Sequence, residues 1–309
     1  MRILVTGASG FVGRWLLPYL RERGHEIIAT VGPDFTGEPP EVLAWRRHDL
    51  TADPDLPAFL RQHQPERVLH LAGFSSVRRS WEAPAGAMQA NLMGSLGLWQ
   101  ALLDAGFQGV FISIGSSEEY GPKAGKLTEE DPPQPANPYA LAKYAQGQLL
   151  QQLATKAGLS LLHLRPFNHI GPGQPRGFVA ADLASQVMDR AAGRITGPLR
   201  VGNLAAVRDF LDVRDVVAAY TKVLEHPAPP PGVYNLASGQ GQSIRDLLNG
   251  LLAIAGVDLE IEVDPALFRP LEVPSQIGDA RKFRETFNWH PEIPWRKTVR
   301  DLLEYWRQP

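Results

Sequence analysis

Short apolar runs punctuate the first half of the chain. Residues 3–6, 26–30, 42–46, 67–72, 110–114 and 161–165 are each predicted to be strands, and the segments between several of them carry apolar positions at helical spacing. Val12, Leu16 and Leu20 return every four residues, and residues 87–105 form a longer stretch of the same kind. Strands alternating with helices predict a parallel sheet covered by helices on both faces, in which short, wholly apolar strands are buried from both sides. Beyond about residue 166 the pattern loosens. Residues 168–176, rich in glycine and proline, read as a loop, 182–190, 212–224 and 243–255 as helices, 232–236 as a strand, and 279–307 as two further helices. There is neither an internal repeat nor a low-complexity linker, so the second half is expected to form a smaller lobe assembled from several excursions. The predicted division is one domain of residues 1–166 plus about 207–236 and a second lobe of about 167–206 plus 237–309.

Composition narrows what such a fold does. The 309 residues are 44% hydrophobic, enough for a substantial core, and the formal net charge is −2 with acids and bases interspersed. The lack of a basic block argues against a nucleic-acid partner. There is no cysteine, which excludes disulfides, thiolate catalysis and cysteine-ligated metals, and the eight histidines lack HExxH-type spacing, so no metal site is expected. No apolar run approaches the roughly 20 residues of a membrane span. The chain opens Met-Arg-Ile-Leu-Val-Thr-Gly, straight into a predicted strand and a glycine turn, so no signal peptide is expected and the expected compartment is the cytoplasm.

Gly7-Ala8-Ser9-Gly10-Phe11-Val12-Gly13 follows the first predicted strand and opens a predicted helix. Glycines here allow a tight turn, a close approach of backbone to pyrophosphate, and tight helix–strand packing, while the helix N-terminus offers free N–H groups to the phosphate charge. The spacing is GxxGxxG, and its strand–turn–helix setting makes a dinucleotide site the expected use. The fold class predicted is α/β, a Rossmann-type doubly wound parallel sheet with a smaller C-terminal α/β lobe. The second strand should end on a ribose reader, an acid for NAD or an arginine nearby for NADP. Thr30 and Val31 stand there, Asp34 follows Gly32-Pro33, and Arg46 and Arg47 lie on the next strand, so the choice between NADH and NADPH stays open. Asp49 is a candidate for the adenine end, or an ordinary strand-end aspartate.

Tyr139-Ala-Leu-Ala-Lys143 begins a predicted helix after Asn137-Pro138. Positions i and i+4 share a helix face, and an ammonium beside a phenol stabilises the phenolate and lowers its pKa. That suits proton transfer at neutral pH, for which an unperturbed tyrosine near pKa ~10 is poorly matched. The pair comes about two dozen residues after Ser113-Ile-Gly-Ser-Ser117, at the C-terminal end of the fifth predicted strand, beyond which ligands of doubly wound sheets bind. Ser116 can hydrogen-bond the carbonyl or alcohol whose proton Tyr139 moves.

The Gly7–Gly13 turn, Ser116, and Tyr139 with Lys143 resemble the extended short-chain dehydrogenase/reductase family, in its NAD-dependent epimerase/dehydratase branch, many of whose members act on nucleotide sugars. Gly115-Ser-Ser-Glu-Glu-Tyr-Gly121, Phe167-Asn-His-Ile-Gly-Pro-Gly-Gln174, Val201-Gly-Asn-Leu-Ala-Ala-Val-Arg-Asp-Phe210 and Arg269-Pro-Leu-Glu-Val-Pro274 are similar to segments of the GDP-hexose dehydratases and reductases, the second and third to the reductase side, and the likeness runs nearly end to end. The resemblance implies a GDP-linked 6-deoxy-4-keto-hexose as substrate and NADPH or NADH delivering hydride to C4, with Tyr139 supplying the proton, Ser116 polarising the carbonyl, and Lys143 holding the nicotinamide ribose. It places Gly7, Gly10, Phe11, Val12, Gly13, Asp49, Leu50, Leu71, Ala72, Gly73, Tyr139, Lys143 and His169 on the cofactor. It places Ser75, Ser116, Ser117, Asn168, Val179, Arg208, Arg269 and Glu272 on the substrate, the arginines meeting phosphate or nucleoside and Glu272 a ribose hydroxyl. A homodimer through residues 87–105 and 138–157 is also implied.

Glu118 keeps a second reading open, because in the dehydratases of this branch the equivalent glutamate removes the C5 proton. Against it, the loop after Asn168 lacks the paired arginines of the dehydratases, and the chain is shorter than theirs. An epimerase or decarboxylase would use the same Tyr139 and Lys143, whereas a non-catalytic dinucleotide sensor has no need of Ser116, Tyr139 and Lys143 together. His70 reads as a strand histidine with its hydrogen bonds satisfied, Trp45, Trp81 and Trp99 as packing residues, and Glu129–Asp131 as a solvated turn.

Overall fold

The apolar run after Arg2 becomes the middle of a sheet because it is shielded from both sides. Ile3, Leu4 and Val5 are all fully buried. In this computed structural model, which describes residues 1–37, 41–49, 51–123, 125–268 and 273–307, the chain forms fourteen strands. They are β1 (Arg2–Thr6), β2 (Glu26–Val31), β3 (Ala44–Arg47), β4 (Arg67–His70), β5 (Val110–Ile114), β6 (Lys126–Leu127), β7 (Ser160–Pro166), β8 (Asn168–Ile170), β9 (Leu199–Val201), β10 (Val207–Asp212), β11 (Gly232–Leu236), β12 (Gly241–Ser243), β13 (Ile261–Val263) and β14 (Ser275–Gly278). Seven of them make one parallel sheet in the order β11-β7-β5-β4-β1-β2-β3. The chain winds outward in both directions from β1, so the crevice between β1 and β4, beyond their C-terminal ends, is where such a sheet accepts a ligand.

Side chains alternate across the strands and build two separate cores. Ile3, Val5, Ile27, Ala29 and Leu69 pack with Leu16 and Leu20 of the helix Phe11–Glu22 and with Val216, Val217 and Tyr220 of the helix Val213–Glu225. Leu4, Ile28, Val68 and Phe111 face the other way, onto Leu56 and Leu60 of the helix Leu56–His63, Leu98 and Trp99 of Gly94–Asp104, and Leu150 and Ala154 of Pro138–Ala157. The doubly wound fold read from the sequence is the one the chain adopts. No helix among the described residues is long and apolar enough to cross a membrane.

A second sheet, β12-β10-β14-β6 with β8 against β10, stands beyond the C-terminal ends of the first, and β9 pairs with β13. The helices Val179–Ala191, Ile244–Ala255 and Trp295–Arg307 enclose a third core around Leu183, Val187, Leu247, Leu248, Leu302 and Leu303. Residues 207–236 divide between the sheets: β10 belongs to the small one, while the helix Val213–Glu225 and β11 belong to the large one.

Local departures from the expected elements have local causes. The fourth strand ends at His70 rather than residue 72, because Leu71–Gly73 leave the sheet and Gly73 adopts φ +152°. The stretch expected as one helix over 87–105 runs as Pro84–Met88, a wide π turn at Gln89–Met93, and Gly94–Asp104. Trp99 is buried as expected, whereas Trp45 and Trp81 are 39% and 48% exposed.

Asp209 on β10 ties the small sheet together. Its fully buried carboxylate accepts from the Ser238 N–H (2.8 Å) and hydroxyl (2.6 Å), the Gly239 N–H (2.8 Å) and the Gly278 N–H (3.2 Å). Removing that acceptor strands several buried donors at once, so Asp209→Ala is expected to lower unfolding stability by about 2–4 kcal/mol, read as a lower urea midpoint at unchanged slope.

Candidate functional site

The Gly7–Gly13 turn lies where β1 meets the crevice. Gly7 has φ +66°, and a Cβ there would lie 2.7 Å from the Ala72 backbone nitrogen. A Cβ on Gly13 would lie 2.3 Å from the Ala8 carbonyl oxygen. These two positions thus demand glycine for packing alone, bringing the turn against the end of β4 and the helix against the turn. Gly10 caps the helix Phe11–Glu22 without any side-chain hydrogen bond, which leaves first-turn N–H groups available to an anion. Gly7, Gly10, Phe11, Val12 and Gly13 line one cavity of about 1410 Å³, together with Leu71, Ala72, Gly73, Asp49 and His169. That volume exceeds the roughly 300–1,000 Å³ of a single-ligand pocket, and the open, glycine-walled cradle fits a dinucleotide.

Hydrogen bonds running sideways hold this wall in place. Thr6 Oγ1 accepts from the Ala72 N–H (3.2 Å) and meets His70 Nδ1 at 2.7 Å; His70 Nε2 meets Ser95 Oγ at 2.8 Å, and Ser95 donates to the Asn91 carbonyl at 2.5 Å. A carbonyl only accepts, so Ser95 must accept from Nε2–H, and Nδ1 accepts from Thr6. Burial, reinforced by the charge of Lys143, lowers the His70 pKa to about 3, so the ring is neutral. Asn91, buried in the wide turn, accepts from the Phe74 N–H (2.9 Å) and donates to the Phe74 carbonyl (3.1 Å). The sequence reading missed Asn91.

Ser116, Tyr139 and Lys143 converge on the same cavity. Asn137 begins the helix Pro138–Ala157: its Oδ1 accepts from the Ala140 N–H (2.8 Å), and Pro138 takes the first position, where no N–H is needed. The same side chain donates from Nδ2 to Glu118 Oε2 (3.1 Å), linking the helix start to the wall opposite. Ser116 ends the crossing from β5, its Oγ accepts from the Glu118 N–H at 3.2 Å, and its hydroxyl is near enough to the Tyr139 phenol to favour the phenolate. Burial pushes the phenol of Tyr139 well above its ordinary value; the nearby Ser116 hydroxyl opposes this and the carboxylates of Glu118 and Glu119 reinforce it. The expectation that Lys143 draws the phenol down is corrected here: burial dominates, and the ammonium donates instead to the Ile114 carbonyl at 2.9 Å. Burial also lowers Lys143 itself to about 8, partly offset by Glu119.

β2 finishes on Thr30 and Val31, and the parallel pairing sets Arg46 and Arg47 of β3 beside them. Arg46 is held by Asp53 through two bonds of 2.7 and 2.6 Å. Asp49 accepts from the N–H (2.9 Å) and hydroxyl (2.8 Å) of Thr51. Leu50 lies outside the described residues. The His169 ring lies nearly parallel to Phe11, 6.0 Å between centroids, and burial lowers its pKa.

Toward the small sheet the cavity is walled by Ser75, Ser117, Asn168, Val179 and Arg208. Ser117 is engaged with Gln276 of β14, whose Nε2 donates to the Ser117 carbonyl at 3.0 Å. Asn168 leans on the Asp209 carbonyl (3.5 Å), and Arg208 donates to the carbonyls of Val207 (2.8 Å) and Val273 (2.7 Å). Arg269 and Glu272 lie outside the described residues. Trp81, read from sequence as a packing residue, lines the cavity instead, as do Leu267 and Phe268, which the sequence reading did not single out.

Comparison with known proteins agrees with this geometry. The NAD dependent epimerase/dehydratase family matches residues 3–237. The chain is 40% identical over 308 residues to GDP-6-deoxy-D-mannose reductase of Pseudomonas aeruginosa, covering 99% of this chain and 97% of that one. It is 27% identical to GDP-mannose 4,6 dehydratase 2 of Arabidopsis thaliana, over 97% of this chain and 85% of that one. The structure of RMD from Pseudomonas aeruginosa complexed with NADPH superposes with a TM-score of 0.83 at 37% identity, over 100% of this chain and 99% of that one.

The buried ammonium has a measurable cost. Lys143 falls from an ordinary 10.5 to about 8 in the folded protein, so between those values the unfolded chain binds the extra proton and stability rises with pH. Lys143→Met is therefore expected to be more stable than the parent at pH 7 by roughly 1–3 kcal/mol. That gain should shrink as the pH climbs above about 8, read from urea unfolding across the range.

Proposed function

We propose that the chain, which belongs to the NAD dependent epimerase/dehydratase family, reduces the C4 ketone of GDP-4-dehydro-6-deoxy-D-mannose to GDP-6-deoxy-D-mannose (GDP-D-rhamnose). The observation that carries this reading is the end-to-end likeness to a reductase of that name, at 40% identity over 308 residues, on a chain whose Ser116, Tyr139 and Lys143 meet in one cavity. The lower identity to a dehydratase, 27%, points the same way.

The residues divide the work by chemistry. Bound along the glycine turn, NADPH or NADH would supply hydride to the ketone carbon. Tyr139, kept protonated by its burial, donates its proton to the oxygen as negative charge develops there. Ser116 hydrogen-bonds the same oxygen and fixes its place beside the phenol. Lys143, an ammonium below about pH 8, would hold the nicotinamide ribose of the bound cofactor, and its charge offsets that left on the phenolate. Gly7, Gly10, Phe11, Val12 and Gly13 would hold the pyrophosphate, Leu71, Ala72, Gly73 and His169 the nicotinamide half, and Asp49 the adenosine. Ser75, Ser117, Asn168, Val179 and Arg208 take the nucleotide sugar, Arg208 by its planar guanidinium. The large sheet thus serves the cofactor, and the small sheet with its helices serves the sugar nucleotide. The exposed Met93 and Leu141, on the helical stretch 84–104 and the helix Pro138–Ala157, support a homodimer packed through those two segments.

Glu118 favours one competing reading. Its carboxylate is on the cavity wall next to Ser116 and Tyr139, where a base for C5 of a hexose would have to be. The assay that separates the two supplies GDP-4-dehydro-6-deoxy-D-mannose with NADPH or NADH and follows cofactor absorbance. Consumption with formation of a GDP-6-deoxyhexose supports the reductase, whereas conversion of GDP-mannose to the 4-keto sugar without added reductant supports the dehydratase. Under reductase conditions Tyr139→Phe is expected to lower kcat by about 10²–10⁴-fold with KM little changed.

A further inference from the structure

Glu119 sits directly behind Ser116, and none of the steps proposed for the reaction uses it. Its carboxylate is completely shielded from solvent, yet both oxygens are occupied. Oε1 accepts from the Ser116 backbone N–H (2.9 Å) and meets His163 Nε2 (3.0 Å); Oε2 accepts from Arg165 Nε (2.7 Å). His163 and Arg165 are two residues apart on β7, so both leave the same face of the sheet. The support continues outward: His163 Nδ1 lies 3.2 Å from Ser113 Oγ, which accepts from Gln146 Nε2 at 3.0 Å. Arg165 lies over the Tyr120 ring, 4.8 Å from its centroid, and the Tyr120 hydroxyl donates to Asn235 at 2.7 Å.

Two glycines clear the space for this cluster. A Cβ on Gly115 would lie 2.2 Å from Glu119 Oε1, and one on Gly147 would lie 2.6 Å from the His163 ring. Burial raises the Glu119 carboxyl, but His163, Arg165 and the Ser116 N–H outweigh it and hold the group below its ordinary value, as the anion. Buried ion pairs add little stability over an apolar filling of the same volume. The cluster is therefore poorly explained as a fold stabiliser, and it holds the site at the Ser116 backbone, whose N–H donates to the Glu119 carboxylate (2.9 Å) and whose carbonyl accepts from the Glu119 N–H (3.1 Å).

We propose that Glu119 is a positioning residue for ketone reduction: its buried carboxylate, clamped by Arg165 and His163, fixes the Ser116 backbone and through it the hydroxyl that meets Tyr139. The proposal rests on the reductase reading for its kinetic consequences and on the geometry alone for the positioning itself. Misplacing a reacting or polarising group by a fraction of its bond length is felt in the turnover step rather than in ground-state binding.

Glu119→Gln tests it. One amide oxygen replaces two carboxylate oxygens; the charged Arg165 takes it, as the stronger donor, and the Ser116 N–H loses its acceptor. The expected result is a fall in kcat of about 10- to 100-fold, with KM for the ketone and the dissociation constant for NADPH within about twofold of the parent. In a Ser116→Ala background the same change should have little further effect; a fully additive loss overturns the proposal. Glu119→Met combined with Arg165→Met removes the ion pair while keeping the interior filled, and a folded double variant with the parent's kcat also overturns it. Amide hydrogen exchange reads the positioning without turnover: exchange at Ser116 should be about tenfold faster in Glu119→Gln, with the helix Pro138–Ala157 unaffected. Unchanged exchange at Ser116 overturns the proposal even if the parent protein proves inert toward the ketone, an outcome that would by itself count only against the reductase reading.

Discussion

The hydrogen-bonded chain from Thr6 through His70 and Ser95 to Asn91 is the constraint on which the rest of the site depends. A parallel sheet leaves the C-terminal ends of its strands as a row of separate loops, each free to move with its own helix. Here the end of β1, the end of β4 and the wide turn at Gln89–Met93 are joined side to side by neutral, fully buried partners. That join lets Gly7 sit within contact distance of Ala72 and keeps Gly73 against Asn91. A protonated His70 would present two donors where the chain has room for one, so the burial that strips its proton is also what keeps the wall continuous.

The parts of the site readable from sequence are those whose geometry is local. The glycine turn needs only a strand before it and a helix after it, and Tyr139 and Lys143 need only one helix turn. Ser116 is legible because it ends a strand in a segment with a recognisable neighbourhood. What stayed hidden is assembled across long separations. Glu119 meets His163 and Arg165 from 44 and 46 residues away, and only the otherwise unexplained Gly115 and Gly147 hint at the space they share. The small sheet was illegible for a different reason. Lys126–Leu127, Asn168–Ile170 and Gly241–Ser243 are too short for an alternation of two to register, and their pairing is decided by where the large sheet delivers them. The wide turn in the helical stretch 84–104 is likewise invisible to periodicity, since a single extra residue shifts the pattern without erasing it.

Electrostatically the site is built from groups that the interior disfavours. Tyr139 is pushed up, Lys143 is pushed down, and Glu119 stays charged only because Arg165 and His163 stand beside it. The three effects are coupled through distance and burial, so the protonation pattern is a property of the cluster. The phenol is held protonated by the same burial that lowers the ammonium one helix turn away.

Ser117 gives the molecule a mechanical character as well as a chemical one. Its carbonyl is held by Gln276 of the small sheet, while three residues on Tyr120 is bonded to Asn235 of the large sheet. Both sheets are thereby riveted to a single turn of chain that also carries Ser116. Opening the cleft like a book about this point would have to break or stretch these bonds, so the turn that carries Ser116 is tied to both halves of the cleft. The cavity wall farther out, at residues 174–178 and at 202, 203 and 206, has no part in either of these two bonds.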